Sequence, residues 1–429
     1  MLNPAVPLKS AATSPVPVRQ PLRPLDEALS ELLAMALPLA DLERVSTFDA
    51  DGRVLAEDLI SSLDVPGHDN SSMDGYAVRS ADLATTDVLQ VTQRIPAGSH
   101  GHALEPLAAA RIFTGAPIPP GADAVVMQED TEALTDSASV RLLTVPSAGQ
   151  WIRRQGEDVA RGAVVLARGQ RLSPAALGLA ASIGFAQLQV TRPVRVALFS
   201  TGDELVMPGD VAPADMPPGA IYNSNRFFLR AMLKRLGCEV TDLGIVPDRL
   251  DATVQALAAA SLQHDLILTS GGVSVGEEDH IKPAVQTLGE LKLWQLAIKP
   301  GKPFAYGRIQ SSSADPFAHF IGLPGNPVSS FVTFMLLVRP FVLKLLGVTA
   351  LAPQAMTAIA QFSWPKADKR REFLRVRQSA GGGLALFDNQ SSGVLTSAVW
   401  GDGLVDNPPG KTIAPGDVVS YIPFSALLS

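Results

Sequence analysis

The sequence carries a single cysteine, Cys238, in 429 residues. No disulfide can close within the chain and no cysteine cage can hold a metal, a pattern that fits a reducing cytosol. A basic excess is missing too. The formal net charge is −7, and the basic and aromatic spacing of a nucleic-acid module is absent, so nucleic acid is not expected as a partner. Nor is there an uninterrupted apolar span. The most apolar helix candidate, "FVTFMLLVRPFVLKLLGV", is broken by Arg339, Pro340 and Lys344. It reads as a core helix, and no membrane partner is expected. The N-terminus, "MLNPAVPLKSAATSPVPVRQPLRP", holds six prolines in 24 residues. It lacks the apolar core of a signal peptide and reads as a disordered or extended tail, so the expected location is cytoplasmic. No internal repeat is visible.

What is present is globular: 46% of residues are hydrophobic and 18% charged. The length allows about two to four domains. "PLDEALSELLAMAL" spaces its apolar residues as an amphipathic helix, with Pro24 near its start. From about residue 45 to 170, short β-prone runs such as "VLQVTQRI" and "DAVVMQ" alternate with turn-rich punctuation such as "APIPPGA". "LSPAALGLAASIG" predicts a helix with Ser173 as N-cap, Pro174 at the first position and Gly184 just past the end. From residue 193, strand-like and helix-like segments alternate, and the strands are almost continuously apolar ("VRVALFS", "DLILTS"). That predicts a doubly wound α/β domain. β texture returns after about residue 350.

In open α/β sheets, ligands bind beyond the carboxyl ends of the strands. Three such ends here are rich in small residues: "STGDEL" with Gly202, "TSGGVSVGEED" with Ser270, Gly271, Gly272 and Ser274, and "LPGNPVSS" with Pro324, Gly325, Asn326 and Pro327. Any one of them is an ordinary strand-to-helix turn. Three on one domain edge point to an anion site built from backbone N–H groups and helix N-termini. Asn326 is a plausible helix cap, with Pro327 in the first position. Glu204, Asp248 and Asp279 share that edge and could converge on a hard cation such as Mg2+, with an acidic helix N-terminus as the simpler account of the "EED" run. "IKPGKP" sets Lys299 and Lys302 on a stiff backbone, either to hold an oxyanion or as a solvated turn. "PGHDNSSMDGYAV" crowds Asp69, Asn70, Ser71, Ser72 and Asp74 together, more polar groups than one turn needs.

At these residues the chain resembles the MoeA family of molybdopterin molybdenumtransferases, which includes the E domains of plant Cnx proteins and of gephyrin. The matching stretches are "DNSSMDGYAVR", "RIFTGAPIPPGADAVVMQED", "IRRQGEDV", "STGDEL", "TSGGVSVGEED", "AIKPGKP" and "LPGNPVSS", in family order, and the likeness runs over roughly residues 22 to 428. It implies a multidomain α/β plus β fold. A disordered tail covers 1–21, a discontinuous domain 22–60 with 155–192, and a β-rich insert 61–154. A MogA-like molybdopterin-binding domain covers 193–347 and a small β domain 348–429. It implies molybdate insertion into adenylylated molybdopterin, with Mg2+-dependent cleavage of the diphosphate and release of AMP. It further implies a homodimer with composite sites, and contact with molybdoenzymes or other cofactor-synthesis proteins. By motif it assigns Asp69, Thr114, Asp158 and Glu204 to the cleft wall and Asp248 and Asp279 to the α/β edge. Lys299 and Lys302 hold anionic groups, and Pro324 and Pro327 shape the loop beside them. In the terminal part Arg371, Ser392 and Ser397 are the likenesses that suggest contact, while Arg375 and Arg377 read as the exposed face of an alternating strand. The β-rich insert and the terminal domain argue against two relatives of the α/β part, the MogA-type adenylyltransferases and the pyridine-nucleotide deamidases. A receptor-clustering scaffold like gephyrin would carry a further enzyme domain or a long linker, and neither is seen.

Overall fold

The structure, a computed structural model, describes residues 21–134, 138–272, 280–310, 312 and 317–428. Two compact units divide the chain. One is Asp41–Thr191; the other joins the N-terminal segment ending at Ala40 to Arg192–Ser429.

In the first unit, the β texture becomes a six-stranded sheet. Its spatial order is Ala124–Met127, Gly75–Val78, Ala108–Ile112, Val88–Ile95, Ser139–Leu142 and Thr131–Leu134. All neighbours are antiparallel except Val88–Ile95 beside Ala108–Ile112. Period-two alternation sends Ala77, Ile95, Ala110 and Val125 to one apolar cluster and Val78, Ala109, Ala124 and Val126 to another, so both faces are covered. A separate core gathers Leu55, Leu59, Leu166, Ala176 and Leu188 under the helix Pro174–Ser182. That helix begins as predicted: Ser173 Oγ accepts from Ala176 N at 3.3 Å, and Gly184 follows the end at φ 91°.

In the second unit, the α/β sheet runs in the order Glu239–Val246, Arg195–Thr201, Leu266–Ser270, Ala318–Leu323, Pro303–Ile309, Gly289–Gln295. The first four strands are parallel and the last two antiparallel to their neighbours. Leu198, Phe199, Leu266, Ile267 and Leu268 are fully buried, because helices cover both faces of the parallel part. Each such side chain contributes about 1.5–3 kcal/mol relative to exposure. The strand Pro303–Ile309 was not anticipated from sequence; a proline at its start and Gly307 within it hide its β character. The helical run Pro327–Leu345 is mostly buried, as a core helix should be. It relaxes into a π-helical turn over Phe334–Val338. The helix Leu25–Met35 packs on it through buried Leu25, Ala28 and Leu32, and Lys344 Nζ donates to Leu33 O at 2.7 Å.

A second sheet of this unit orders Ile298–Lys299, Arg371–Gln378, Gly403–Asn407, Val418–Pro423 and Met356–Ile359. Its first strand comes from the lysine loop of the α/β part, so the loop is tied to the C-terminal part through a parallel ladder.

Candidate active site

A cleft of about 1040 Å3 opens where the parallel strands end. Every one of its lining residues belongs to the second unit. Three sequence loops predicted to share an edge meet there. Gly202 and Glu204 follow the strand Arg195–Thr201, Ser270, Gly271 and Gly272 follow Leu266–Ser270, and Pro324, Gly325, Asn326 and Pro327 follow Ala318–Leu323. Asp248, Lys299, Lys302 and Ser392 line it as well. Ser274 and Asp279 lie outside the described residues.

The floor is a hydrogen-bond network that locks the strand ends together. Asn225 Nδ2 donates to Ser270 Oγ and to Gly325 O, both at 2.7 Å, and Ser330 Oγ donates to Pro324 O at 2.8 Å. Gly272 has φ 66°, and a Cβ there would come within 2.5 Å of Ile281 Cγ1, so this turn requires glycine. Two helix N-termini border the cleft, at Ser224–Asn225 and at Asn326–Pro327. Asn326 occupies the N-cap position, but its side chain makes no capping bond. A carbonyl caps instead: Val328 N donates to Ser392 O at 2.9 Å. Two buried polar atoms on the lining, Ser200 Oγ and Asn223 Nδ2, have no hydrogen-bond partner among the described residues. Such atoms are costly unless a ligand or water meets them.

Charge is divided along the cleft. Glu204 and Asp248 contribute carboxylates; Lys299, Lys302 and Arg370 contribute cations. Lys299 Nζ lies 3.1 Å from Glu372 Oε1 and 3.8 Å from Asp368 Oδ2. Arg370 is paired with Asp368 at 3.0 Å. The hydrogen bonds from the Arg370 side chain hold the Asp368 carboxyl down at about 2. The Lys302 ammonium has no hydrogen-bond or ion-pair partner among the described residues. Among the described residues no group of three or more His, Cys, Asp or Glu could hold a metal. Glu204 and Asp248 are the two carboxylates of the lining, and a hard cation there would need oxygen donors of this kind.

Of the three terminal residues that the resemblance suggested, Ser392 lines this cleft. Arg371 does not line the cleft; its guanidinium is held by Asp406 at 2.6 Å and Asp26 at 2.9 Å. Its neighbour Arg370 takes the cleft position. Ser397 is fully buried and accepts from Arg375 Nε at 3.1 Å instead of meeting the cleft. Arg375 is not on an exposed face. It is 1% exposed, donates to Phe373 O, Ser391 O and Ser397 Oγ, and has no carboxylate partner among the described residues. Burial pushes its guanidinium down to about 10, so it remains charged at neutral pH directly behind the cleft-lining residues Ser391 and Ser392. Gln390 clamps the same loop, accepting from Arg375 N at 2.9 Å and donating to Arg375 O at 3.0 Å. Ser200, Asn223, Asn225, Arg370, Arg375 and Gln390 were not found from sequence. The asparagines of "YNSN" before a helix were a readable signal; the others were not.

In the first unit, Asp69, Thr114 and Asp158 come from three stretches laced by backbone hydrogen bonds. Ile118 N donates to Asp69 O, Gly115 N to Ser71 O, and Asp158 N to Val65 O. The backbone N–H of Gln155 and the Arg154 guanidinium hold the Asp69 carboxyl below its usual range. Thr114 donates its N–H and its hydroxyl to Asp74 Oδ1, at 2.8 and 2.7 Å, which lowers Asp74 likewise. Asp158 is exposed.

The family models agree along the chain. One described as the MoeA N-terminal region (domain I and II) matches residues 23–184. A probable molybdopterin binding domain matches 197–344, and the MoeA C-terminal region (domain IV) matches 357–424. A molybdopterin molybdenumtransferase of Haemophilus influenzae is 43% identical over 353 residues, spanning 82% of this chain and 85% of that protein. Molybdopterin molybdenumtransferase 2 of Mycobacterium tuberculosis is 35% identical over 380 residues, 86% and 88% of the two chains. The crystal structure of a molybdopterin biosynthesis MoeA protein from Pyrococcus horikoshii superposes with a TM-score of 0.80 at 27% identity, covering 94% of this chain and all of that one.

Proposed function

The chain belongs to the MoeA family of molybdopterin molybdenumtransferases, enzymes of molybdenum cofactor biosynthesis, and from that premise we propose that its substrate is adenylylated molybdopterin. Molybdate is the second substrate, and AMP leaves when the diphosphate is cleaved. The observation that carries this reading is the divided charge of the cleft, carboxylates at Glu204 and Asp248 and cations at Lys299, Lys302 and Arg370. A diphosphate and a tetrahedral oxyanion need such cations, together with helix N-termini. Ser200 Oγ and Asn223 Nδ2 offer buried hydrogen-bonding atoms for the polar edges of the substrate. Arg375 adds a fixed positive charge behind Ser391, where it raises the potential without meeting solvent.

Glu204 and Asp248 would hold Mg2+, and by the family likeness Asp279 is proposed as a third acid ligand. When bound, Mg2+ neutralises negative charge on phosphoryl oxygens. The residues of the chain do the rest. The glycine loops admit the phosphates close to the backbone, and the lysines hold molybdate for capture by sulfur. Those sulfurs must be the dithiolene of the substrate, because the one cysteine, Cys238, is buried and single. We propose that the working unit is a homodimer in which Asp69, Thr114 and Asp158 of one subunit complete the cleft of the other.

The direct test incubates purified protein with adenylylated molybdopterin, Mg2+ and molybdate, and follows AMP and molybdenum content. AMP release with molybdenum incorporation is expected. Incorporation without AMP would refute the adenylylated substrate.

A further inference from the structure

Glu372 is 1% exposed, yet it carries a carboxylate. A buried carboxylate persists only where donors surround it. Three donors do. Trp364 Nε1 lies 2.8 Å from Oε2, Asn407 Nδ2 lies 3.4 Å from Oε2, and Lys299 Nζ lies 3.1 Å from Oε1. Only the lysine is charged, and only the lysine reaches the cleft. The partnership is built into the backbone, because Lys299 and Glu372 are register partners on adjacent parallel strands. Trp364 also places its ring 5.8 Å from Lys299 Nζ, which adds cation–π attraction. Neither Glu372 nor Trp364 lines the cleft. The carboxylate therefore stands behind the cation and not beside the ligand. Asp368 and Arg370 repeat the arrangement one step along, with Arg370 in front.

We infer that Glu372, supported by Trp364 and Asn407, is a positioning residue that fixes the ammonium of Lys299 for the oxyanion and so sets the molybdate affinity of the cleft. An untethered lysine loses side-chain entropy whenever it closes on an anion. Lys299 has given up part of that freedom in advance. Its side chain remains 40% exposed, so N–H groups stay available to a ligand. Lys302 has no such tether among the described residues. The two lysines of "IKPGKP" thus differ in kind, one pre-oriented and one free to follow. The C-terminal part takes a share in binding through this contact, although it supplies no anion ligand at this point.

This inference rests on the proposed role of Lys299, and the experiment separates the two. Molybdate half-saturation and direct tungstate or molybdate binding by calorimetry are measured in Lys299→Ala, Glu372→Gln, the double variant and Trp364→Phe. Thermal unfolding is followed in parallel. Lys299→Ala should weaken oxyanion binding roughly tenfold or more, as expected for a desolvated charged contact. Glu372→Gln should weaken it about three- to tenfold with kcat much less changed. Because Glu372 acts through Lys299, the double variant should bind no worse than Lys299→Ala alone. Trp364→Phe keeps the ring and removes one donor, so it should shift half-saturation in the same direction if Glu372→Gln does not fold. A double variant whose losses multiply, or Glu372→Gln and Trp364→Phe at wild-type affinity beside a weakened Lys299→Ala, overturns the positioning role alone. Wild-type oxyanion affinity in Lys299→Ala overturns the cleft-lysine reading and this inference together.

Discussion

His319 sits at the start of the strand Ala318–Leu323, away from the cleft, inside a cage of rings. Phe341 and Phe317 lie edge-on at 5.0 and 5.1 Å, and the Tyr306 hydroxyl is 2.9 Å from Nδ1. Burial, reinforced by Arg308 and opposed by Asp265, holds its pKa down to about 4. The unfolded chain would bind this proton near pH 6.5. Protonation therefore favours unfolding. The neutral ring costs nothing above about pH 6.5, and stability declines as pH falls from there toward 4. At pH 5 the loss is about 2 kcal/mol. His319→Gln should show a smaller drop in urea midpoint between pH 7 and pH 5 than the wild type; equal drops would clear His319 of the effect. Glu204 makes a contrasting case at the same scale. It is exposed at the cleft mouth, so Glu204→Gln should unfold at the wild-type midpoint. Diphosphate cleavage under limiting Mg2+ should nevertheless fall by at least tenfold, and an unchanged rate would remove Glu204 from the metal reading.

At the scale of elements, the loop between Ile298–Lys299 and Pro303–Ile309 depends on Gly301. Its φ is 106°, and a Cβ would stand 2.3 Å from Thr333 Oγ1. That hydroxyl is itself buried without a partner among the described residues. Gly301→Ala should cost about 1–3 kcal/mol from backbone strain and overlap. Adding Thr333→Ala should return only the overlap part, read as a partial recovery of the unfolding midpoint; full recovery would show that the backbone carries no strain. The strand Arg371–Gln378 shows how an element can mislead. Alternation along it is real: Leu374 and Val376 enter one apolar core, while Phe373 and Arg375 point the other way. An alternating strand is read as having a wet face. Here Ser391 and Ser397 meet the Arg375 side chain, which is buried, Arg371 is drawn into ion pairs with Asp406 and Asp26, and Arg377 stays exposed. Period-two spacing reports which residues share a face and not what covers it.

At the scale of the whole molecule, the proposed dimer makes a prediction that no single subunit can mimic. Asp69→Asn and Glu204→Gln subunits should each be weak as homodimers. Mixed heterodimers should recover part of the activity, because one of their two clefts would contain both native residues. Activity no greater than the mean of the parent homodimers, in verified heterodimers, would reject the composite site. The order of folding elements and the meeting of three glycine-rich strand ends were legible in the chain. Both follow from local rules: apolar runs make buried strands, and ligand loops follow their carboxyl ends. The cleft residues Gly202, Glu204, Asp248, Lys299 and Lys302 were read this way and do line one cavity. Arg370 and Gln390 were not, since they reach the cleft only once the lysine loop has paired with the strand Arg371–Gln378.

The sequence by itself determined the strand–helix alternation, the glycine turns, the acids and lysines of the cleft edge and the family likeness. Each is a matter of composition, periodicity or motif within a short window. Only the tertiary structure decided which arginine faces the cleft, that Arg375 is buried, and that Glu372 stands behind Lys299. The reason is physical. Whether a charged side chain meets water, a ligand or a counter-ion depends on what another segment places against it. Lys299 and Glu372 are 73 residues apart along the chain. The parallel ladder that brings them within 3.1 Å exists only once the lysine loop has joined the C-terminal sheet.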